Sequence, residues 1–265
     1  MDINNVATDL IAEQEALLEV MLSIGDNTWS KPTSSPRWNI ADQIGHLTYF
    51  DEAAAVAITD PNRFRTMVDD LTGVIDGGNS AIDDLTLKSY RSMSPTELLQ
   101  AWQTGHQKLR KAAATLENDS RVIWYGPSMG AKSFLTSRLM ETWAHGQDVI
   151  DTTDSFRPAT DRLRHIAQLG VITRQWSYIN RQLDIPDSEV QVELTGPSGD
   201  TWSWGSGNTE NLIRGSAEDF CLVVTQRRHF KNTELEVRGG DALDWLEKAQ
   251  AFAGPPTSGP SEQSM

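Results

Sequence analysis

The residues of this chain with the clearest chemical potential lie in one short stretch, at Glu141, His145 and Asp148. On an α-helix, residues three or four positions apart lie on the same face, so these side chains would form one stripe. Carboxylates and imidazoles are ligands of divalent metal ions. On a solvated helix face, however, Glu and His at this spacing form only a weak ion pair. The spacing alone leaves both interpretations open.

The neighbouring residues favour the metal interpretation. Apolar side chains recur along the same predicted helix, which should therefore be mostly buried; they are Phe134, Leu135, Leu139, Trp143 and Ile150. A buried charge without a partner is costly. A metal ion would satisfy both Glu141 and His145, but it needs a third ligand from another element.

Four long helices are predicted in the first part of the chain, and such a set forms a four-helix bundle with sites built from inward-facing side chains. They are predicted over residues 3–24, 40–59, 95–117 and 131–152. Residues 61–93 are predicted to be a helical insertion. His46 lies inside the second long helix, beside its apolar face, and is the natural third ligand for Glu141 and His145.

The hydrophobic pattern changes after Asp154. Helices are expected over residues 157–183, 217–229 and 242–252, and strands over 190–194, 201–204, 212–215 and 235–238. We therefore predict an α+β protein, with the four-helix bundle in residues 1–155 and a small α+β domain in residues 156–253. A tail over residues 254–265, rich in Pro, Gly and Ser, is predicted to be disordered.

Composition narrows the class of protein. The chain has 265 residues and a net charge of −14, so phosphate backbones would repel it and nucleic acid is not expected as a partner. No apolar run approaches the roughly 18 residues of a membrane span, and the N-terminus does not have the pattern of a signal peptide. The single cysteine, Cys221, lies in an apolar run and is expected to be buried. These features predict a cytoplasmic protein without a membrane partner.

A histidine on the second long helix and Glu-x-x-x-His on the fourth resemble the DinB-like metal-binding superfamily. More narrowly, the chain resembles the mycothiol-dependent maleylpyruvate isomerase group, which joins such a bundle to a small α+β domain. Three segments look like a largely uncharacterised actinobacterial branch of that group: Trp143–Val149, Phe220–His229 and Ala249–Pro256. The resemblance covers nearly the whole chain.

This resemblance implies a divalent metal, with zinc expected, held by His46, Glu141 and His145. Related proteins use the metal to bind a low-molecular-weight thiol as a thiolate, because coordination lowers the pKa of a thiol. The implied function is a mycothiol-dependent S-transferase or isomerase of small-molecule metabolism. An arginine of the second domain helps to bind anionic ligands in the isomerase-like members, and the candidates here are Arg227 and Arg228.

Two other functions stay open. One is a thiol-independent isomerase or cyclase, in which the metal acts as a Lewis acid on a substrate oxygen. The other is a non-catalytic protein that keeps a metal or ligand for regulation. The expected partners are a small-molecule substrate and a thiol, and the oligomeric state is left open.

Several further residues have two interpretations each. Asp148 would orient a ligand or act as an acid or base, with a salt bridge as an equal alternative. His106 could face the interior of the bundle, but its polar neighbours favour a solvated face of the third long helix. Trp38, Trp124 and Tyr125 would line the mouth of the site or simply pack.

Overall fold

The computed structural model describes residues 2–126 and 128–262. The contacts divide the chain into two compact units, Met1–Arg157 and Pro158–Met265, a boundary two residues after the predicted one. Among the described residues, every helix is too short or too polar to serve as a membrane span.

The first unit is helical. Its helices are α1 (Ile3–Ser23), α2 (Ile40–Thr59), α3 (Pro61–Val74), α4 (Gly78–Arg91), α5 (Pro95–Ala113) and α6 (Ala131–Thr153). Helices α1 and α2 each contact both α5 and α6, so the four long helices form a closed ring, as in a four-helix bundle. The predicted insertion consists of α3 and α4, which a short 3-10 turn joins.

Two capping boxes determine where α2 and α5 begin. In α2, the Asn39 side chain accepts the backbone N–H of Asp42 at 2.9 Å, and the Asp42 carboxylate accepts the backbone N–H of Asn39 at 3.2 Å. Ser94 and Glu97 make the same exchange before α5. A cap of this kind stabilises a helix by about 1 kcal/mol. The Asn39 cap therefore fixes where α2 begins. It lies three residues before Asp42, the first buried polar side chain of that helix.

The core of the first unit draws apolar side chains from all four long helices. Members that are almost fully buried include Leu17, Ile44, Leu47, Trp102 and Val149. Burial of one such side chain contributes about 1.5–3 kcal/mol. A polar side chain within this core must therefore find its partners inside the bundle.

Two short connections in the first unit were not predicted. Before α2, the chain forms a tight hairpin in which Pro32 pairs with Asn39 and the Thr33 N–H donates to the Trp38 carbonyl at 2.9 Å. Before α6, strands β1 (Arg121–Val122) and β2 (Met129–Gly130) pair antiparallel. Both are too short to show an apolar alternation in the sequence.

The second unit combines helices with a four-stranded sheet. Its elements are α7 (Leu163–Ile172), α8 (Arg174–Ile179), β3 (Gln191–Thr195), β4 (Thr201–Trp204), β5 (Leu212–Ser216), α9 (Ala217–Val224), β6 (Glu236–Arg238) and α10 (Gly240–Leu246). The strand order is β4-β3-β5-β6, with β3 and β5 parallel and the other pairs antiparallel. The predicted strands are all present, and the α+β class is confirmed.

Helix lengths in the second unit differ from the predictions. The helix expected over residues 157–183 is two shorter helices, α7 and α8. Helix α9 ends at Val224 instead of continuing to residue 229, because Gln226 adopts a left-handed φ of 59° and the chain turns back. The backbone N–H of Arg227 then donates to the Leu222 carbonyl at 2.7 Å. Helix α10 ends at Leu246, six residues before the predicted end.

The C-terminal tail makes more contacts than its composition predicts. From Gly254 to Glu262 it has no helix or strand. However, the Gln226 amide donates to the Thr257 carbonyl at 3.1 Å, and the Lys231 ammonium donates to the Glu262 carboxylate at 2.9 Å. This part is therefore held against the second unit. The predicted disorder of residues 263–265 concerns residues outside the described part of the chain.

Candidate metal centre

The three predicted metal ligands converge inside the first unit. His46 comes from α2, and Glu141 and His145 come from α6; one ligand atom from each lies within 4.8 Å of the other two. The Nε2 atoms of His145 and His46 face the same oxygen, Oε2 of Glu141, at 3.0 and 3.5 Å. The two imidazole centroids are 4.4 Å apart. Two imidazoles and one carboxylate at these separations form a donor set that suits zinc.

The three side chains are not sealed from solvent. Their exposed fractions are 17% for His46, 21% for Glu141 and 11% for His145. A structural zinc site closes with four protein ligands, whereas a catalytic site keeps a position for water or substrate. Three protein ligands that remain partly exposed to solvent match the pattern of a catalytic site.

The electrostatics of the cluster suit metal ligation. Burial raises the pKa of Glu141, but hydrogen bonds with His145 and His46 outweigh burial and hold that pKa well below its ordinary value. Burial, followed by the charge of His145, lowers the pKa of His46 to about 4. At neutral pH, Glu141 is therefore anionic and His46 is neutral, which are the states that bind a metal ion.

Gln43 is a member of the site that the sequence analysis missed. It lies three residues before His46 on α2, on the same helix face, and it is fully buried. Its Oε1 atom contacts His145 Nδ1 at 2.5 Å, and its amide nitrogen donates to Thr33 Oγ1 at 2.8 Å. The spacing rule that links Glu141 to His145 would also have identified Gln43.

Asp148 lies on the Nδ1 side of the His145 ring, away from the nitrogen that faces Glu141. It is almost fully buried, and its Oδ2 atom is 3.8 Å from Nδ1. The hydroxyls of Ser34 and Ser35 donate to its two oxygens at 3.3 and 3.1 Å. This position favours an orienting role for Asp148 over direct proton transfer to a substrate.

A buried ion pair lies one turn from the ligands. The Arg138 guanidinium donates to Asp51 Oδ1 through Nε at 3.0 Å and Nη2 at 2.8 Å. The Gln14 amide donates to the other oxygen of Asp51 at 3.2 Å. Arg138 precedes Glu141 by three residues, so the pair connects α2 and α6 directly beside the metal ligands.

The prediction that His106 lies on a solvated face is wrong. Its side chain is only 14% exposed, and its Nε2 atom is 3.5 Å from Asp51 Oδ2 inside the bundle. The charged neighbours of His106 in the sequence occupy the outer face of α5, which is why they misled the prediction. Burial lowers the pKa of His106 to about 4, although Asp51 acts in the opposite direction.

The aromatic candidates divide into two layers. The Trp38 ring lies against both histidine ligands, with centroid separations of 4.9 Å to His46 and 5.8 Å to His145. Phe50 contacts the other side of His46 at 4.6 Å. Trp124 and Tyr125 contact Phe50, with ring centroids 6.2 and 5.6 Å away. Trp38 therefore borders the ligands, whereas Trp124 and Tyr125 support Phe50.

Arg227 and Arg228 lie in the second unit, in the turn after α9. The Nη1 atom of Arg227 donates to the Thr225 carbonyl at 2.8 Å, and that of Arg228 donates to the Arg227 carbonyl at 2.8 Å. These bonds orient the guanidinium groups within the turn. Anion binding by either residue stays a proposal.

Comparison with known proteins gives a family match over most of the first unit. Residues 10–150 match the family described as the mycothiol maleylpyruvate isomerase N-terminal domain. An uncharacterised protein of Mycobacterium tuberculosis, found in two strains, is 43% identical over 251 residues, which cover 95% of this chain and 96% of that protein.

Two solved structures share the fold. The crystal structure of the mycothiol-dependent maleylpyruvate isomerase superposes with a TM-score of 0.56 at 16% identity and covers 86% of this chain and 90% of that one. A mutant of the same isomerase gives the same TM-score of 0.56 at 15% identity. At this level of identity, the likeness shows the fold.

Proposed function

The chain belongs to the mycothiol maleylpyruvate isomerase N-terminal domain family, and on that premise we propose that it is a metal-dependent enzyme that uses mycothiol as its cosubstrate. The reaction is an isomerisation or an S-transfer on a small electrophilic molecule. The observation that carries this proposal is the convergence of His46, Glu141 and His145, whose ligand atoms lie within 4.8 Å of one another.

The residues of the centre fit a resident divalent ion, for which zinc is the first choice. A divalent ion held by these three side chains would bind the sulfur of a thiol and lower its pKa, so that the thiolate is present at neutral pH. The carboxylate of Glu141 offsets part of the charge of the ion. Trp38 and Phe50 border the His46 ring and limit its contact with water. Asp148 and Gln43 hold the His145 ring from behind.

The two proposed reactions differ in their use of the thiol. In an isomerisation, the sulfur adds to one carbon of a conjugated double bond, rotation follows about the resulting single bond, and elimination returns the thiol. In an S-transfer, the carbon–sulfur bond persists and a leaving group departs, so each turnover consumes one thiol. Either substrate carries an electron-withdrawing group such as a carboxylate, which Arg227 or Arg228 is proposed to bind.

Metal analysis tests the first part of the proposal. We expect about one equivalent of zinc in the reconstituted protein and a large loss in His46→Ala and His145→Ala, since each removes a ligand. His106→Ala is the matched control, because it removes another interior histidine of the same bundle and should keep the metal. A full equivalent in both ligand variants would overturn the proposed centre.

Thiol binding tests the second part. Calorimetric titration with mycothiol should show binding to the zinc-loaded protein and none to the metal-free protein. Replacement of zinc by cobalt should add a thiolate-to-metal absorption band when the thiol is present. No binding at millimolar thiol would favour the thiol-independent Lewis-acid reaction. Once a substrate is found, the amount of thiol consumed per turnover separates isomerisation from S-transfer.

A further inference from the structure

We propose that Gln43 is a positioning residue that keeps a proton on Nδ1 of His145 and thereby leaves Nε2 free to bind the metal. A neutral imidazole has one protonated nitrogen and one nitrogen with a lone pair. The hydrogen-bond partner of the protonated nitrogen decides where the proton lies. The inference rests on the proposed metal role of His145, and its first test is made on zinc-loaded protein, so that a failure to bind zinc and a misplaced proton are observed separately.

The geometry first identifies the ligand nitrogen. His145 Nε2 faces Glu141 Oε2 at 3.0 Å, and the Nε2 atom of His46 faces the same oxygen at 3.5 Å. His145 Nδ1 points the other way, towards Gln43 Oε1 at 2.5 Å. A metal among the three ligands therefore takes Nε2 of His145, and Nδ1 must carry the proton.

A chain of hydrogen bonds supports this orientation of the Gln43 amide. It ends at the Trp38 backbone carbonyl, which can only accept. The Thr33 hydroxyl donates its one hydrogen to that carbonyl at 3.0 Å, so its oxygen is free to accept the Gln43 N–H at 2.8 Å. The amide oxygen of Gln43 is then turned towards His145 Nδ1, where it can accept a hydrogen bond from the Nδ1–H group but cannot donate one.

Asp148 opposes the reversed arrangement. If the Gln43 amide were flipped, its N–H would face Nδ1 and the proton of His145 would move to Nε2, where it would block the metal. The Asp148 carboxylate lies 3.8 Å from Nδ1 and favours a proton there over a lone pair. Gln43 and Asp148 therefore both favour a proton on Nδ1 of His145.

Gln43 is fully buried, so water cannot easily replace it. Loss of such a partner behind a metal-binding histidine typically weakens metal binding by about 10–100-fold. The geometry thus assigns to one glutamine a measurable share of the metal affinity, although Gln43 does not touch the metal itself.

The first test observes the proton directly in the zinc-loaded protein, because without a metal the Glu141 carboxylate, 3.0 Å from Nε2, competes for a proton on that nitrogen. A long-range proton–nitrogen spectrum of protein with nitrogen-15 histidine should show Nδ1 of His145 in the protonated range, with a hydrogen that exchanges slowly with water. His145→Gln assigns the signal. An unprotonated Nδ1 in the zinc-loaded protein would overturn the proposal, whether or not the protein uses a thiol. Failure to bind zinc at all would overturn the proposed metal centre instead.

The second test compares zinc affinities of full-length variants by competition with a coloured chelator. Gln43→Met should bind zinc about 10–100-fold more weakly and lose the slowly exchanging hydrogen. Gln43→Glu keeps an acceptor and should restore both. Gln14→Met is the matched control, because Gln14 is also buried in the bundle but donates to Asp51. It should lose stability and keep its zinc affinity.

Thr33→Val provides a milder variant in case Gln43→Met does not fold. It leaves Gln43 in place but removes the oxygen that accepts its amide hydrogen, so the zinc affinity should fall in the same direction by a smaller factor. Unchanged zinc affinity in folded Gln43→Met or in Thr33→Val contradicts the proposal. An equal loss of affinity in Gln14→Met contradicts it as well, because the effect would then be a general loss of packing.

Discussion

Glu141 shares one carboxylate oxygen between two imidazoles, and this geometry makes its charge testable. In Glu141→Gln the side chain keeps its size but loses the negative charge that offsets a divalent ion. We expect the zinc affinity to fall about 100-fold or more. Loss of a residue that only hydrogen-bonds to a metal ligand weakens metal binding by up to about 100-fold, and loss of a ligand should cost at least as much. Chelator competition measures the change, and an affinity within a few-fold of the wild type would show that Glu141 is not a ligand.

His106 should make stability depend on pH. Its pKa is about 4 in the folded chain against an ordinary value of 6.5, because burial disfavours the charged ring. The unfolded state therefore binds a proton first, and the stability contributed by the neutral ring is complete above pH 6.5 and is lost as the pH falls towards 4. At about 1.4 kcal/mol per pKa unit, the loss is at most about 3.5 kcal/mol.

Chemical denaturation of the wild type and of His106→Gln at several pH values measures this contribution. The free energy of unfolding of the wild type should fall relative to that of the variant as the pH decreases through this window. Other groups that titrate in both proteins cancel in the difference. A difference that stays constant from neutral pH to pH 4.5 would mean that burial does not perturb His106.

At the scale of elements, α2 and α6 meet through three polar contacts in antiparallel order. Gln43 contacts His145, His46 contacts Glu141, and Asp51 contacts Arg138. Residue numbers rise along α2 as they fall along α6. The ion pair lies at one end of the proposed ligands and the Gln43 amide lies at the other.

The Asp51–Arg138 pair should be costly to break from one side. Arg138→Met leaves the Asp51 carboxylate buried without its main partner, and we expect a loss of about 3–5 kcal/mol in the free energy of unfolding. The double variant Asp51→Leu/Arg138→Met removes both charges and should recover much of that loss. Urea denaturation of the two single variants and the double variant measures the coupling. Strictly additive effects would contradict a direct interaction.

The elements that hold the site were predictable to different degrees. Asn39 and Asp42 predict the start of α2, and the apolar periodicity predicts α6. His46, Glu141 and His145 could therefore be placed on facing helices. The hairpin that brings Thr33 and Trp38 to the site could not be predicted, because Arg37 reaches its φ of 70° without a glycine to mark the turn. His106 was assigned to the wrong face because its buried partner, Asp51, is distant in the sequence.

At the scale of the whole molecule, every residue assigned to the metal centre belongs to the first unit. A chain that ends at Arg157 keeps the bonds from Arg157 to Glu13 at 3.0 Å and to the Trp143 carbonyl at 3.2 Å. If this fragment folds, as circular dichroism would show, it should bind one equivalent of zinc. A folded fragment without metal would mean that the second unit supplies a ligand.

The second unit has a separate test in the full-length chain. Arg227→Ala and Arg228→Ala should keep the full zinc content, because neither residue is a proposed metal ligand. If either arginine binds the anionic substrate, its variant should raise the KM for that substrate and leave thiol binding unchanged. Equal KM values in both variants and the wild type would remove the two residues from the proposed site.

The family and the fold class followed from the sequence, and both are confirmed. The ends of α9 and α10 were placed too late, because residues 225–229 and 247–252 contain no Gly or Pro and nothing there forbids a helix. Only the left-handed conformation of Gln226 shows where α9 must stop. The apolar periodicity of the sequence therefore does not reveal turns of this fold that lack Gly or Pro.

Cys221 is the only cysteine of the chain; it is fully buried, and burial raises the pKa of its thiol well above the ordinary value. A protein that we propose to use a thiol for its chemistry thus carries almost no reactive thiol of its own. It should resist mixed-disulfide formation with an oxidised cosubstrate, and mass spectrometry after such treatment should show the unmodified mass. The native protein should also give no colour with colorimetric thiol reagents. Consumption of a thiol cosubstrate can therefore be measured directly in its presence.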